Sequence, residues 1–114
     1  MNRAMTRIGP LQIGIILLAV ATALIHFVLA PRAGVMFYLN GIGYLVLVAA
    51  LYLPQLRAYQ PLIRWVLIGY TALTIVLWAV LTGFNISNPI GVIDKLIEVA
   101  LIALLVLEGR QRAS

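Results

Sequence analysis

Four apolar stretches of about twenty residues each dominate this chain and leave few folds open to it. They cover residues 11–30, 35–53, 62–82 and 89–107. At about 1.5 Å of rise per helical residue, twenty residues span roughly 30 Å, the thickness of the hydrocarbon core of a bilayer. A strand that spans a bilayer needs only about ten residues and alternates in polarity, which none of these stretches does. The pattern therefore predicts four transmembrane helices.

The composition leads to the same fold class. The chain of 114 residues is 64% hydrophobic and only 10% charged, whereas about a quarter of a soluble domain is charged. So few charges cannot cover a water-facing surface, which favours an integral membrane protein. Short connections make consecutive helices antiparallel neighbours, so we expect one all-α domain over residues 1–114, an up-down four-helix bundle. The chain has no cysteine, which excludes disulfides and cysteine-ligated metals.

The positive charge, formally +5, predicts the orientation. The basic residues flank the apolar stretches, so we expect contacts with lipid head groups and no nucleic-acid partner. Arg32 and Lys95 fall at one interface of the predicted bundle. Six arginines fall on the other side: Arg3, Arg7, Arg57, Arg64, Arg110 and Arg112. Because positive residues accumulate on the cytoplasmic side, we expect both termini in the cytoplasm and the helices in a prokaryotic inner (plasma) membrane.

Four polar residues of three helices fall at similar depths below the outer face. Helical rise places His26 roughly 6 Å, Asn40 roughly 8 Å, Asp94 about 5 Å and Glu98 about 10–11 Å from that face. An ionised group at such depth should face the bundle and be paired. We therefore expect Glu98 to point towards His26 or Asn40, and Lys95 to extend to the outer interface. The layer is either a hydrogen-bond network that fixes helix register or a functional site.

Cofactor chemistry is a weaker interpretation of this layer. One histidine and two carboxylates could bind a metal, but Asp94 and Glu98 share one helix and no HxxxH or ExxH spacing supports them, so we predict no metal. His26 could supply an axial ligand to haem or (bacterio)chlorophyll, with the small residues Ala19, Thr22 and Ala23 beside it. A lone histidine in an apolar helix is more often a polar partner. We therefore predict no cofactor and keep tetrapyrrole binding as an alternative.

Small and hydroxylated residues predict helix packing. Gly41 and Gly43 allow a neighbouring helix to approach closely, and we expect Gly43 to face the first helix. Thr71 and Thr74 form a stripe at helical spacing with Trp78, which is typical of an interhelical contact.

Several segments carry a resemblance to a known family. They are Ile25-His26-Phe27 at the end of the first helix, FYLNGIGYL at 37–45, YTALTIVLW at 70–78 and NPIGVIDKLIEVALIALL at 88–105. In these the chain resembles a family of small, uncharacterised four-helix integral membrane proteins of bacteria and archaea. The resemblance implies a fold and a membrane location but no activity. It also implies that the pair Asp94 and Lys95 recurs at the start of the last helix.

Three hypotheses for function follow. The first is a non-catalytic accessory or assembly subunit of a larger membrane complex, respiratory or photosynthetic, because the short loops leave only helix surfaces to meet other subunits or further copies. The second is an oligomeric proton, ion or small-solute transport subunit that uses His26, Asp94 and Glu98. The third is the tetrapyrrole-binding subunit.

Overall fold

The computed structural model describes residues 8–82 and 89–113, and within these ranges the chain forms four α-helices and no strands. The prediction of an all-helical fold is confirmed. The helices are α1 (Pro10–Ala33), α2 (Val35–Tyr52), α3 (Gln60–Thr82) and α4 (Pro89–Ala113), and a 3-10 helix (Pro54–Tyr59) joins α2 to α3.

Three of these helices are long and apolar enough to cross a membrane. The segments are Pro10–Pro31, Val35–Tyr52, and Pro54–Val80, which includes the 3-10 turn. Helix α4 is as long, but its first ten residues hold three charged side chains. The lengths and compositions of α1, α2 and α3 therefore support the prediction of a membrane protein.

Two helix ends differ from those predicted. Helix α1 continues through Pro31 to Ala33, so Gly34 alone connects it to α2. Gly34 has a φ of 108°, a conformation that favours glycine because a Cβ would be strained there. Its N–H still donates to Ala30 O at 2.8 Å, and the helix ends there because the backbone of Gly34 leaves helical angles. Helix α4 runs to Ala113 rather than to residue 107.

Contacts to two carboxylates of α4 define the helix directions. Thr22 and Gln12 of α1 contact Glu98 and Glu108 respectively. Gln12 and Thr22 are ten residues apart in α1, and Glu98 and Glu108 are ten residues apart in α4. The earlier residue of each helix contacts the later residue of the other, so α1 and α4 are antiparallel. The same two carboxylates are contacted by Tyr44 and Tyr52 of α2, which is parallel to α4, and by Thr74 and Arg64 of α3, which is antiparallel to it. We refer to the two ends of the bundle as the Glu98 end and the Glu108 end.

The layer between the two carboxylates is largely apolar. Ten residues of α4 separate Glu98 from Glu108, about 15 Å at helical rise. The layer contains a buried hydroxyl, that of Thr71, which donates to Leu67 O in its own helix at 2.8 Å. Its buried apolar side chains are Ile15, Ala19, Val48, Leu67, Leu101 and Leu105.

The two glycines of α2 face different helices. A Cβ on Gly41 would lie 2.7 Å from the Phe27 ring and 3.0 Å from Ala23 O, both in α1. A Cβ on Gly43 would overlap the hydroxyl of Tyr70 in α3. Gly43 therefore adjoins α3, whereas we expected it to face α1. The Tyr70 hydroxyl occupies this space because it donates to Asn40 O at 2.7 Å.

Candidate functional site

Glu98 is fully buried and receives hydrogen bonds from the three other helices and from its own. Its Oε2 accepts from the Tyr44 hydroxyl at 2.9 Å and lies 3.1 Å from Thr74 Oγ1. Its Oε1 accepts from Lys95 Nζ at 2.7 Å. A buried carboxylate is tolerated where it is both paired and hydrogen-bonded, and Glu98 meets both conditions.

Asp94 lies one turn away on the same face of α4 and is also buried. Its Oδ1 is 2.5 Å from Thr22 Oγ1. Its Oδ2 is 3.3 Å from Lys95 Nζ and 3.9 Å from His26 Nε2. Thr22 Oγ1 is also 3.2 Å from Glu98 Oε2, so one hydroxyl lies between two carboxyl groups.

His26 lies between Thr22 of its own helix and Asn40 of α2. Nδ1 lies 2.7 Å from Thr22 O, and because a carbonyl only accepts, Nδ1 carries a hydrogen. Nε2 lies 3.1 Å from Asn40 Nδ2. Asn40 Oδ1 is buried and has no hydrogen-bond partner among the described residues.

The structure thus brings the predicted layer together, with different pairings from those we expected. Tyr44, Thr74 and Thr22 surround Glu98, whereas His26 and Asn40 bond to each other. Lys95 turns inward, its side chain 13% exposed, because two carboxylates hold its ammonium group. The Arg32 side chain lies outside the described residues. The residues of this Glu98 cluster are Thr22, His26, Asn40, Tyr44, Thr74, Asp94, Lys95 and Glu98.

Neither a metal nor a tetrapyrrole fits this arrangement well. Ligand atoms of His26, Asp94 and Glu98 lie within 4.8 Å of one another, but the Lys95 ammonium lies against both carboxylates, where it would repel a metal cation. An axial ligand must direct a ring nitrogen at the metal, and both ring nitrogens of His26 lie against protein atoms, Nδ1 against Thr22 O and Nε2 against Asn40 Nδ2. Ala19, Thr22 and Ala23 are fully buried, so the residues expected to admit a flat ring contact other helices instead.

A cleft of about 650 Å³ adjoins the cluster. It lies at the Glu98 end, with apolar walls mainly from α2 and α3, and α1 and α4 contribute polar groups. This combination of apolar walls with a few convergent polar groups is typical of small-molecule sites. Glu98 is separated from the cleft by its neighbours. The lining residues include Met36, Phe37, Leu39, Tyr70, Leu73, Leu77 and Trp78 as walls, with His26, Asn40, Asp94 and Lys95 as polar groups. We call it the Asp94 cleft.

A second polar cluster at the other end was missed in the sequence. Glu108, which directly follows the predicted fourth helix (residues 89–107), is fully buried. Its Oε1 accepts from Arg64 Nε at 2.9 Å, and its Oε2 accepts from Tyr52 at 2.7 Å and Gln12 at 2.9 Å. Arg64 could have indicated this cluster in the sequence, because an arginine inside an apolar stretch requires a counter-ion. Glu108 is the nearest carboxylate along α4 that lies at that end.

Comparison with protein-family models, with curated proteins and with solved structures finds no match to this chain. The resemblance to the family of small four-helix membrane proteins stays a prediction.

Proposed function

We propose that this protein is an integral membrane protein that binds an amphiphilic organic cation in the Asp94 cleft. In this proposal all four helices cross a prokaryotic inner membrane, with both termini in the cytoplasm as the arginine distribution predicts. The charges of α4 do not oppose its insertion, because Asp94, Lys95 and Glu98 face one another inside the bundle rather than lipid. The observation that carries the proposal is the apolar cleft that ends at a cluster of two carboxylates and one ammonium group.

The charge of the cluster favours a cationic ligand. Two carboxylates, Asp94 and Glu98, face one ammonium group, that of Lys95. A net negative charge in a low-dielectric interior is costly and requires a compensating cation. Asp94 lines the cleft. Its Oδ1 is 2.5 Å from Thr22 Oγ1, whereas its Oδ2 is 3.3 Å or more from its neighbours. Oδ2 is therefore the atom that a bound amine or quaternary cation would approach.

The aromatic walls are suited to such a ligand. Tyr70 and Trp78 of α3 and Phe37 of α2 line the cleft, and aromatic faces attract organic cations by about 0.5–2 kcal/mol each. The ligand would therefore combine a positive charge with an apolar body, and could reach the site from the bilayer.

Conduction through a single copy of the chain has less support. The largely apolar layer between Glu98 and Glu108 interrupts any chain of polar groups over about 15 Å. The cluster is therefore better suited to holding a ligand than to passing protons from one end of the bundle to the other.

Two probes of the same shape and opposite charge test the proposal. We expect the purified protein in detergent to bind tetraphenylphosphonium in calorimetry and to bind tetraphenylborate at least tenfold more weakly. Asp94→Asn should lower the affinity for tetraphenylphosphonium about tenfold, the effect of removing an interaction of roughly 1.4 kcal/mol.

The control is a variant with the opposite charge change. Lys95→Gln removes the competing cation and should raise the affinity for tetraphenylphosphonium, whereas a general structural defect would lower it in both variants. Equal binding of the two probes, or unchanged affinity in Asp94→Asn, would show that the ions only partition into the micelle and would refute the proposal.

The accessory-subunit hypothesis is compatible with a ligand-binding role. The apolar outer faces of the helices would meet lipid or other subunits, and a ligand held in the cleft would then belong to the larger complex. Purification from the native host in a gentle detergent tests this, because co-migrating subunits support it and isolation as a monomer contradicts it.

A further inference from the structure

A second cleft lies at the opposite end of the bundle, between α3 and α4. Its volume is about 470 Å³, and it is about 18 Å along α4 from Glu98, the rise of the twelve residues to Arg110. Three of its lining residues are arginines, Arg64, Arg110 and Arg112, and its walls include Trp65, Ile68 and Val106. We call it the Arg110 cleft.

The Arg110 cleft has an excess of positive charge. Among the described residues, Glu108 is the carboxylate at this end of the bundle, and it is bonded to Arg64 at 2.9 Å. Arg112 Nη2 is farther from it, at 3.9 Å, and Arg112 Nη1 donates to Gln60. Arg110 is exposed. In this described part of the chain three guanidinium groups lie near one carboxylate, which favours an anionic ligand.

The walls of the cleft restrict the ligand further. The Trp65 side chain is 68% exposed, which is typical of an aromatic ring at the level of lipid head groups. Ile68 lies one helical turn deeper in α3, and Val106 lies one turn deeper than Arg110 in α4. A ligand that fills this cleft therefore needs an anionic group at the arginines and an apolar chain that runs towards the middle of the bundle.

The geometry points to a binding site for one anionic phospholipid in the Arg110 cleft. Its phosphate lies at Arg110 and Arg112, and an acyl chain lies along Trp65, Ile68 and Val106. This site is separate from the Asp94 cleft and does not depend on the function proposed there. Basic pockets between membrane helices are suited to phospholipid head groups because each guanidinium near an anionic lipid surface contributes about 1 kcal/mol.

The two tryptophans of the chain allow a direct test. Trp78→Phe leaves Trp65 as the single tryptophan, which lies next to the proposed site and can be excited selectively. The protein is reconstituted in vesicles of phosphatidylcholine with phosphatidylglycerol, in which either lipid carries brominated acyl chains at equal mole fraction. We expect brominated phosphatidylglycerol to quench Trp65 more strongly than brominated phosphatidylcholine. Arg110→Gln should reduce the relative affinity for phosphatidylglycerol about fivefold.

Arg57 provides the matched control. It lies in the 3-10 helix at the same end, is exposed, and its guanidinium contacts Pro54 O at 3.5 Å, so Arg57→Gln removes an equal charge away from the cleft. It should leave the preference unchanged. Equal quenching by the two brominated lipids, or equal losses in Arg57→Gln and Arg110→Gln, would mean general attraction to an anionic surface and would overturn the site.

Native mass spectrometry of the unsubstituted chain gives a second measurement. We expect one phosphatidylglycerol to be retained at activation energies that remove phosphatidylcholine, and Arg110→Gln to lose it. Simultaneous loss of both lipids from the unsubstituted chain would also overturn the site.

Discussion

Replacing Gly43 with alanine should destabilise the bundle through one identifiable contact. A Cβ at this position would overlap the Tyr70 hydroxyl and lie 2.8 Å from Tyr70 Cζ. The ring must then move, and its hydrogen bond to Asn40 O is lost. Overpacking of this kind costs about 1–3 kcal/mol, and a lost hydrogen bond costs about 0.5–1.5 kcal/mol.

One effect acts in the opposite direction. Alanine is a better helix former than glycine by about 1 kcal/mol. The free energy of unfolding should therefore fall by about 2 kcal/mol in Gly43→Ala. The measurement is equilibrium unfolding in mixed micelles, with sodium dodecyl sulfate as the denaturant and helical circular dichroism as the signal.

Gly69 offers a control of the same chemistry. It lies in α3 next to Tyr70, and a Cβ there would meet nothing within 4 Å. Gly69→Ala should therefore leave stability unchanged or raise it by up to about 1 kcal/mol. Equal effects of Gly43→Ala and Gly69→Ala would refute the packing argument.

A double-mutant cycle isolates the contact itself. Tyr70→Phe removes the hydroxyl that the new methyl group would overlap, so Gly43→Ala should cost less in that background. The expected coupling is about 0.5–3 kcal/mol, the range for residues in direct contact. Zero coupling would show that the cost of Gly43→Ala arises elsewhere.

A further prediction concerns charge. Glu108→Gln should lower the free energy of unfolding by about 3–5 kcal/mol because it leaves the buried Arg64 guanidinium without a counter-ion, whereas Arg57→Gln at the surface should change it by less than about 0.5 kcal/mol. Both are measured by the same unfolding titration, and similar values for the two variants would contradict the role of Glu108.

Depth along the helices was predictable from the sequence, and rotation about their axes was not. Depth follows from helix boundaries and a fixed rise per residue, so His26, Asn40, Asp94 and Glu98 were expected in one layer. The side chain that meets Glu98 depends on how each helix is turned. Nothing in the sequence indicates that Thr22 contacts Glu98, because a threonine on an apolar helix looks like an ordinary packing residue.

Two charged side chains escaped prediction for a related reason. Lys95 was expected at the interface because a single lysine near a helix end lowers its energy by reaching water, but two carboxylates one turn apart hold its ammonium inside. Glu108 follows the end of an apolar run and therefore looked like the start of a tail. Its partner Arg64 lies 44 residues away along the chain, and only the packing of α3 against α4 brings the two together.

The position of the acidic residues on the last helix has a consequence for biogenesis. The chain contains three acidic residues, and Asp94, Glu98 and Glu108 all belong to α4. During synthesis α1, α2 and α3 leave the ribosome before it. Until α4 is synthesised, the side chains that will donate to its carboxylates, including Arg64, lack those acceptors.

The first ten residues of α4 hold three charged side chains, and α4 is not among the three segments that are apolar enough to cross a membrane by composition alone. We therefore propose that α4 enters the membrane by packing against the three helices made before it, and that the Arg64–Glu108 ion pair forms at that stage. A nascent chain truncated after residue 82 should accordingly be a substrate for membrane quality-control proteases, and α4 supplied as a separate polypeptide should rescue it.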